Sequence, residues 1–298
     1  MTGNGSGDVP VRRRLSDAAW MRMRAILIVG TIALLGGCRE RQNLSSTTNA
    51  NGDDQRRAVS KIHTYSTTFP EAENPISEGG KWMGGSLAGR DPGKANSSTG
   101  GRLWGDVQTE PGMSFGVDEP TDFGDPTAIL TGTWGPAQSA SAKVKIVKTP
   151  IGNCCHEVEL RLRTTISGRV ITGYEAYCSV MPNNSYCHIT RWNGPNGSYW
   201  NFEKNSIAMY LVDGDVIKAT VTGINPVIIT LYRNNVPIEQ AFDTGAAGGG
   251  FGAYGPWTSG NPGIGFFNNH EINWKDFGLS SFSVTDDESA TAPPAGGR

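Results

Sequence analysis

Apolar and polar residues alternate repeatedly between Lys61 and about Asp286, and no stretch there sustains the 3.6-residue period of an amphipathic helix. Because successive side chains of a strand point to opposite faces of a sheet, this pattern indicates strands with one buried face. It predicts an all-β domain, most economically a two-sheet antiparallel sandwich. The clearest strands are Lys143 to Lys148, Glu157 to Ile166, Val170 to Val180, Cys187 to Trp192, Val216 to Thr222, Val227 to Arg233 and Leu279 to Thr285.

Turn-forming residues separate several of these strands. Asp213-Gly214-Asp215 and Asn234-Asn235 tolerate positive φ angles, so they predict tight turns. No repeat with a period of about 20 to 50 residues is visible, which excludes a propeller or a solenoid. A domain of this length buries roughly 70% of the surface of its extended chain, so it needs no partner for stability and we expect a monomer.

A different pattern marks the N-terminal region. The segment from Met21 to Cys38 contains two arginines, an apolar run from Ala25 to Leu35, and small residues before the cysteine. The run is shorter than the ~20 residues that a membrane-spanning helix needs, and it predicts a signal peptide with a lipobox. The resemblance to bacterial lipoproteins implies cleavage before Cys38 and a diacylglycerol on its sulfur. A short buried helix with a chance cysteine is the alternative.

These features divide the chain into four parts. Residues 1–37 are the predicted signal peptide, with Met21 and Met23 as alternative translation starts. Residues 38–60 form a polar, flexible tether, residues 61–287 form the β-sandwich, and residues 288–298 form a disordered tail. We therefore expect a protein of the bacterial cell envelope that contacts the membrane through the lipid on Cys38, on the periplasmic or cell-surface side.

Composition and charge narrow the choice of partners. The 40 Gly and 17 Pro residues, with only 18% charged residues, are typical of a turn-rich globular chain and not of a highly charged disordered one. The formal net charge of −2 provides no concentrated basic surface, which excludes nucleic acid as a partner.

Four cysteines remain besides Cys38, namely Cys154, Cys155, Cys178 and Cys187. In an oxidising compartment two disulfides are the expectation, and three pairings are open. A zinc site is the alternative, but adjacent cysteines lack the C-x2-C spacing that lets two thiolates reach one tetrahedral ion.

Four short motifs follow one another in the second half of the chain: Leu211 to Ala219 with its Asp-Gly-Asp turn, Ile229 to Asn235, Gly263 to Phe266, and Phe282 to Val284. Their order resembles the C-terminal half of concanavalin A-like lectin and glucanase jelly rolls. The resemblance implies that the last strand returns beside the first and that oligosaccharides bind on a concave sheet.

Strand parity then predicts one hydrophilic sheet face. If the three strands between Glu157 and Trp192 are neighbours, apolar residues such as Val158, Leu160 and Ile189 point to the core. The opposite face collects Glu157, Glu159, Arg161, Arg163, Glu175, Tyr177, His188, Thr190 and Trp192. Aromatic rings beside charged groups are typical of a glycan groove, and an ordinary solvated face with Glu–Arg pairs is the alternative.

Our first hypothesis is a glycan-binding protein whose catalysis is undetermined. The loops Trp192 to Phe202 and Gly248 to Trp257 are expected to form the rims of the groove, and substrate is expected to contact Glu175, Trp192 and Trp200. A structural envelope protein without a ligand is a further alternative. The remaining groove residues are Glu157, Glu159, Arg161, Tyr177 and His188, which are also the candidate catalytic residues.

Two polysaccharide-degrading reactions are possible on this face. Hydrolysis would use Glu157 and Glu159, although the E-x-D-x-x-E pattern of the resembled glucanases is incomplete because Leu162 stands at its last position. Lytic elimination would use Tyr177 and His188 for proton transfer and Arg161 to neutralise a uronate. Alginate-lyase-like strand motifs are absent in their usual form.

Other motifs carry less weight. The glycines at 250, 252 and 255 fit a dinucleotide fingerprint, but Pro256 and Trp257 follow and no helix opens there. Ser86 lies in an incomplete G-x-S-x-G motif without the strand-turn-helix context of a nucleophile elbow. Histidines show no ligand spacing, so we expect no catalytic metal, with a structural Ca²⁺ ion near Asp286 as an alternative.

Overall fold

The computed structural model describes residues 62–88, 104–117, 124–152, 155–167, 170–202, 207–245, 255–268 and 273–287. All of them belong to one compact unit, Arg56–Arg298. The predicted signal peptide, Cys38, the tether, Cys154 and the tail lie outside the described residues. Within the described part of the chain, no helix is both long and apolar enough to cross a membrane.

Strands account for most of the described chain, and only two short 3-10 helices, Gly85–Ala88 and Trp274–Asp276, accompany them there. In chain order the strands are β1 (Thr64–Thr67), β2 (Trp82–Gly84), β3 (Asp106–Glu110), β4 (Met113–Val117), β5 (Thr127–Leu130), β6 (Gln138–Ile146), β7 (His156–Ser167), β8 (Val170–Ser179), β9 (Cys187–Gly194), β10 (Tyr199–Asn201), β11 (Val216–Thr222), β12 (Val227–Arg233), β13 (Val236–Asp243), β14 (Asn261–Asn268) and β15 (Phe277–Thr285).

The strands form two antiparallel sheets. Sheet 1 has the order β13-β12-β11-β6-β15-β4-β3, with β1 also paired to β15, and sheet 2 has the order β10-β9-β8-β7-β14-β5-β2. The first strand therefore pairs with the last, with Thr64 opposite Thr285. The predicted all-β, two-sheet antiparallel sandwich is confirmed. The return of the last strand beside the first agrees with the jelly-roll resemblance.

Alternation builds the core between the two sheets. From sheet 2, Val158, Leu160 and Leu162 of β7 are fully buried, and from sheet 1, Ala219 and Val221 of β11 pack in the same cluster. β7 contacts β11 across the sandwich. Because burial of apolar surface contributes about 25 cal/mol per Å², these rows stabilise the contact between the two sheets. The core assignments made from strand parity in β7, β8 and β9 are confirmed.

Both predicted turns support sheet 1. Asn234 and Asn235 join β12 to β13 with φ angles of 51° and 65°, as a two-residue hairpin turn requires. The Asp215 carboxylate accepts hydrogen bonds from Val212 N (2.9 Å) and Asn234 Nδ2 (2.8 Å) and pairs with Arg233 Nη2 (2.7 Å). Burial raises the pKa of Asp215, but these contacts outweigh it and hold the pKa below its usual value. The Asp-Gly-Asp loop is thus hydrogen-bonded to the Asn234-Asn235 turn.

The cysteines cross-link the sheet that carries the hydrophilic face. Cys178 and Cys187 form a disulfide between directly opposite positions of β8 and β9. Cys155 is also disulfide-bonded. The expectation that these cysteines are oxidised therefore holds for the three that are described.

Arg163 departs from the predicted row of outward side chains. A bulge between Leu162 and Thr165 gives Arg163 a φ of 46°. Its buried guanidinium donates to the carbonyl oxygens of three loop residues, and burial without a carboxylate partner lowers its pKa to about 10. Arg163 therefore ties loops together and does not join the hydrophilic face. The acceptors are Pro136 (2.6 Å), Gly223 (2.8 Å) and Trp257 (3.1 Å).

Candidate functional site

The three strands that carry the predicted hydrophilic face are neighbours in the order β9-β8-β7. Glu159 of β7 lies opposite Tyr177 of β8, which lies opposite His188 of β9. One step along the strands, Arg161, Glu175 and Thr190 form the second row. Directly opposite residues of antiparallel strands share a face, so these side chains are brought together on the side of sheet 2 away from the core.

A buried ion cluster occupies the centre of this face. Arg161 Nη2 donates to Glu159 Oε2 and Arg161 Nη1 donates to Glu175 Oε2, each at a distance of 2.5 Å. The indole N–H of Trp192 also donates to Glu175 Oε2. All four residues are buried, and Arg161 and Glu159 have no exposed surface. Both terminal nitrogens of the guanidinium are therefore hydrogen-bonded to carboxylates of the same sheet.

Aromatic rings cover the cluster. The guanidinium carbon of Arg161 lies 5.9 Å from the ring centroid of Trp104 and 5.6 Å from that of Trp192. The two tryptophans contact each other edge to face and, with Ile171, form a small second apolar cluster. The 3-10 helix Gly85–Ala88 also lies against β7 and β8. The centre of the hydrophilic face is thus closed, and the expected groove is not open along its whole length.

Gly265 of β14 makes room for the ion cluster. It lies opposite Glu159 in the sheet, and a Cβ placed on it would stand 2.2 Å from Glu159 Oε2 and 2.8 Å from Arg161 Nε. Glycine is therefore needed on β14 so that the Glu159–Arg161 pair can lie flat against the neighbouring strand.

A pocket of about 110 Å³ opens beside the cluster. Three carboxylates, four aromatic rings, a threonine and a half-cystine surround it. The pocket is small, polar on one side and aromatic on the other, which is the combination expected of a small-molecule or sugar subsite. The lining residues are Asp125, Glu157, Glu175, Tyr177, Trp192, Tyr199, Phe267, Thr190 and Cys155.

Glu157 is a carboxyl group of the pocket whose ionisation is strongly perturbed. Burial raises its pKa to about 8, a hydrogen bond from Tyr186 works in the opposite direction, and the carboxylates of Glu175 and Asp125 raise it further. Glu157 is therefore mostly protonated at neutral pH. The pocket holds a carboxylic acid that can give up its proton to, or for, a ligand.

Glu159 lies beneath the pocket. Burial raises its pKa well above the usual value although Arg161 opposes the shift, because one guanidinium cannot neutralise several close carboxylates. Burial also raises the pKa of Tyr177 and Tyr186, with nearby Glu157 adding to both shifts. Their hydroxyl groups therefore stay protonated and act as hydrogen-bond donors, not as bases.

The sequence-predicted residues divide into three groups by position. Glu157, Glu175, Tyr177 and Trp192 line the pocket, while Glu159 and Arg161 lie beneath it. The ring of His188 packs on Tyr177 and Tyr186, 5.6 and 5.8 Å between ring centroids, next to the pocket.

Trp200 does not share the face with the pocket. It lies opposite Arg191, a residue that points to the core side, whereas Tyr199 lies opposite Trp192. Tyr199 is 41% exposed, and its ring centroid lies 5.1 Å from that of Trp192. The aromatic residue that β10 contributes to the pocket is therefore Tyr199 and not Trp200, because Tyr199 pairs with the outward Trp192. The expected rim residue Trp257 packs against the core instead, with its indole N–H on Trp192 O (2.9 Å).

Four neighbours of the site had no role in the sequence analysis: Trp104, Asp125, Tyr186 and Phe267. Phe267 follows from parity once β14 is recognised as a strand, since Ile264 and Phe266 of that strand face the core. Tyr186 precedes β9 by one residue and reaches Glu157 across the hairpin.

The carboxylate cluster already has a cation. Oxygens of Glu157, Glu159 and Glu175 lie within 4.8 Å of one another, which is a spacing that a metal ion can bridge. However, Arg161 already donates hydrogen bonds to two of these carboxylates.

Asp286 is the candidate ligand of a structural Ca²⁺ ion. Its carboxylate accepts from His63 N (2.6 Å), His63 Nδ1 (2.7 Å) and Gly135 N (2.7 Å). Both oxygens therefore face nitrogen donors, and the geometry does not favour Ca²⁺ there.

The same geometry restricts the two predicted reactions. Glu159 is enclosed and bonded to Arg161, so the carboxylates that face the pocket with Glu157 are Glu175 and Asp125. Elimination from a uronate needs a free positive group near the substrate carboxylate, and Arg161 is buried with both of its terminal nitrogens on glutamates.

No protein-family model and no curated protein matches the sequence. Solved structures that resemble this chain include the carbohydrate-binding module CBM66 from Bacillus subtilis, with 12% identity and a TM-score of 0.39 over 72% of this chain and 97% of that chain. An endo-1,3-beta-glucanase from Streptomyces sioyaensis has 11% identity and a TM-score of 0.44 over 76% and 96% of the two chains. The metal-free Emp46p carbohydrate recognition domain has 10% identity and a TM-score of 0.43 over 74% and 95%. These neighbours are lectin and glucanase jelly rolls of the concanavalin A-like type, and the likeness concerns the fold alone.

Proposed function

We propose that this protein binds a glycan at the pocket on the hydrophilic face of sheet 2. The observation that carries the proposal is the meeting of four aromatic rings and three carboxyl groups in one small concavity, supplied by strands from both halves of the sheet. The C–H faces of a sugar ring pack on aromatic rings, and its hydroxyl groups donate to carboxylates. The exposed ring of Tyr199 at the edge of the pocket suits the first contact with a longer chain.

A glycan array followed by calorimetry on the strongest ligands tests this proposal. We expect Tyr199→Ala to weaken binding by about tenfold, since one aromatic contact contributes about 1 kcal/mol or slightly more. The matched control is Trp200→Ala, because Trp200 is the adjacent residue, is similarly exposed and lies on the other face. Equal losses for both variants, or no glycan binding by correctly oxidised protein, contradict the proposal.

Hydrolysis of the bound glycan is the second candidate function. Glu157, with a pKa of about 8, is suited to donate a proton, and its oxygens lie within 4.8 Å of those of Glu175, close to the separation of a retaining carboxylate pair. Incubation of the purified protein with the glycans it binds, followed by a reducing-sugar assay, tests this reaction. Product formation that Glu157→Gln and Glu175→Gln both abolish supports hydrolysis, and binding without product leaves a lectin-like role.

We also propose that a lipid on Cys38 anchors the binding domain at the bacterial cell envelope. The support is the sequence pattern from Met21 to Cys38. Metabolic labelling with a palmitate analogue should mark the wild-type protein and not Cys38→Ser. Release of an unlabelled wild-type protein into the soluble fraction contradicts the anchor.

A further inference from the structure

The pocket has an excess of negative groups. Asp125, Glu157 and Glu175 line it, and none of its described lining residues is Lys or Arg. Among the described residues the nearest cation is Arg161, which is buried beneath the pocket and donates to Glu159 and Glu175. The carboxyl groups of Glu157, Glu159 and Glu175 lie close together around this guanidinium, so their full ionisation leaves a surplus of negative charge in a partly dehydrated site.

An independent observation is that the buried cluster is not fully hydrogen-bonded, since Glu159 Oε1 and Arg161 Nε both lack a partner among the described residues. Glu159 is fully buried, and its Oε1 accepts no hydrogen bond from the described residues although its Oε2 is bonded to Arg161. A buried, unpartnered carboxylate oxygen is costly, so the cluster is favoured by any additional positive charge within reach.

The aromatic side of the pocket has the complementary property. The rings of Tyr177, Trp192, Tyr199 and Phe267 line it. The faces of such rings attract ammonium groups, and Arg161 already uses the faces of Trp104 and Trp192 in this way. Carboxylates on one side and ring faces on the other are the chemistry that recognises an organic cation.

We infer that the pocket takes a protonated amine, so that the glycan bound here is an amino sugar with a free, unacetylated nitrogen. This inference rests on the proposed glycan binding and specifies its substrate class. Uronic acids are disfavoured because a further carboxylate would meet Glu157 and Glu175, and no Lys or Arg lines the pocket among the residues that the structure describes.

Proton linkage provides a signature that separates this ligand from a neutral sugar. The groups that face Glu157 are Tyr186, Glu175, Asp125, Tyr177, Glu159 and Arg161. Glu157 is mostly protonated below pH 8, and an arriving ammonium group favours its ionised form. In acidic buffer, where the amine is itself protonated, its binding should therefore release up to about one proton from the Glu157 carboxyl to the buffer. Affinity should rise with pH until the amine begins to lose its own proton, because the neutral amine has no charge with which to pair the carboxylates.

The test is calorimetry of the oxidised protein with three probes of equal length: oligomers of glucosamine, of N-acetylglucosamine and of galacturonic acid. We expect the glucosamine oligomer to bind at least about tenfold more tightly than the acetylated one, and its binding enthalpy to vary with the ionisation enthalpy of the buffer. Glu157→Gln should reduce the preference to about twofold and abolish the buffer dependence. The control is Glu110→Gln, because Glu110 is an exposed carboxylate on sheet 1 that pairs with Lys275.

The outcomes distinguish glycan binding in general from the preference for a free amine. Equal binding of the free and acetylated amines, tighter binding of the uronate, or amine binding without proton release overturns the inference and leaves glycan binding intact. Absence of binding to every glycan overturns both. Should Glu157→Gln not fold, Tyr199→Phe and Tyr199→Ala replace it: Phe should keep the amine preference and Ala should reduce it.

Discussion

Two buried arginines of sheet 2, Arg161 on β7 and Arg191 on β9, are surrounded very differently. Arg191 points towards the core side and pairs with Asp243 of β13 over 2.7 Å, so it connects the two sheets. Asp243 is further bonded by Tyr174 Oη (2.8 Å) and Gly245 N (2.8 Å). Among the described residues, the guanidinium of Arg191 and the carboxylate of Asp243 thus form a pair of one cation and one anion. Arg161 points to the outer face and has several carboxylates around it, with a pocket beside them.

The difference separates a structural ion pair from a site. A balanced and fully hydrogen-bonded pair has nothing left with which to bind a ligand, and its loss affects folding alone. In the cluster around Arg161, the pKa of Glu157 is raised and one oxygen of Glu159 has no hydrogen-bond partner among the described residues. Such a cluster costs stability, and a positively charged ligand relieves that cost.

The largest effect is expected at the balanced pair. Asp243→Ala leaves Arg191 buried without its anion and removes the acceptor of Tyr174, so the free energy of unfolding should fall by about 3–5 kcal/mol. Denaturant unfolding monitored by tryptophan fluorescence measures this loss. The double variant Arg191→Met/Asp243→Leu should recover much of it, whereas a loss equal to the sum of the two single variants contradicts the pairing.

Arg161→Met should be nearly as destabilising, but with a dependence on pH. Without the guanidinium, Glu159 and Glu175 are buried without a counter-charge, and their protonated forms are then favoured in the folded state. Carboxyl groups whose folded pKa is raised contribute stability at low pH and lose it as the pH rises. The variant should therefore lose about 3–5 kcal/mol at pH 8 and clearly less at pH 5. Urea titrations at the two pH values compare these losses, and adding Glu159→Gln should reduce the difference.

Glu157→Gln should have a smaller effect of opposite sign. The folded-state pKa of Glu157 is raised from 4.5 to about 8, so its contribution to stability is complete below pH 4.5 and disappears as the pH rises through 8. Glutamine does not ionise. The variant should therefore be more stable than the wild type by about 1–2 kcal/mol at pH 9, after allowance for solvent screening, and should show no such gain at pH 5. Parallel thermal melts in non-binding buffers measure the crossover, and equal differences at both pH values would contradict it.

The smallest effect is expected at an exposed pair. Lys275 Nζ and Glu110 Oε2 are 2.6 Å apart, yet both side chains reach solvent. Lys275→Met should change the free energy of unfolding by no more than about 1 kcal/mol, and the change should shrink further in high salt. This variant calibrates the comparison, because a loss similar to that of Asp243→Ala would mean that burial is not what distinguishes the pairs.

The fold was predictable where one face of a strand is buried and the other is polar. β7, β8 and β9 alternate clearly, so their faces followed from the sequence, whereas their order in the sheet was a condition of the prediction that the structure meets. β5 is buried on both faces and β14 contains Pro262 and two glycines, so neither shows alternation. β6 begins at Gln138 and not at Lys143, because its first half is small, buried residues.

The residue types of the site were predictable from the sequence, but the burial of the ion cluster beneath it was not. Parity placed Glu157, Glu175, Tyr177 and Trp192 together, but the covering of Arg161 by Trp104 depends on a residue far away in the chain. The bulge at Arg163 and the one-residue register of β10 depend on backbone geometry that side-chain patterns do not encode. Asp125 reaches the pocket from the residue before Pro126, outside any alternating segment.

Gly265 has a consequence for any chain related to this one. A side chain at that position and the paired Glu159 and Arg161 exclude each other, since the first carbon of the side chain would overlap a carboxylate that is clamped from the other side. Natural variants should therefore change these three positions together. A glycine opposite an outward Glu-x-Arg on the adjoining strand becomes a compact marker for finding further proteins with the same acidic pocket.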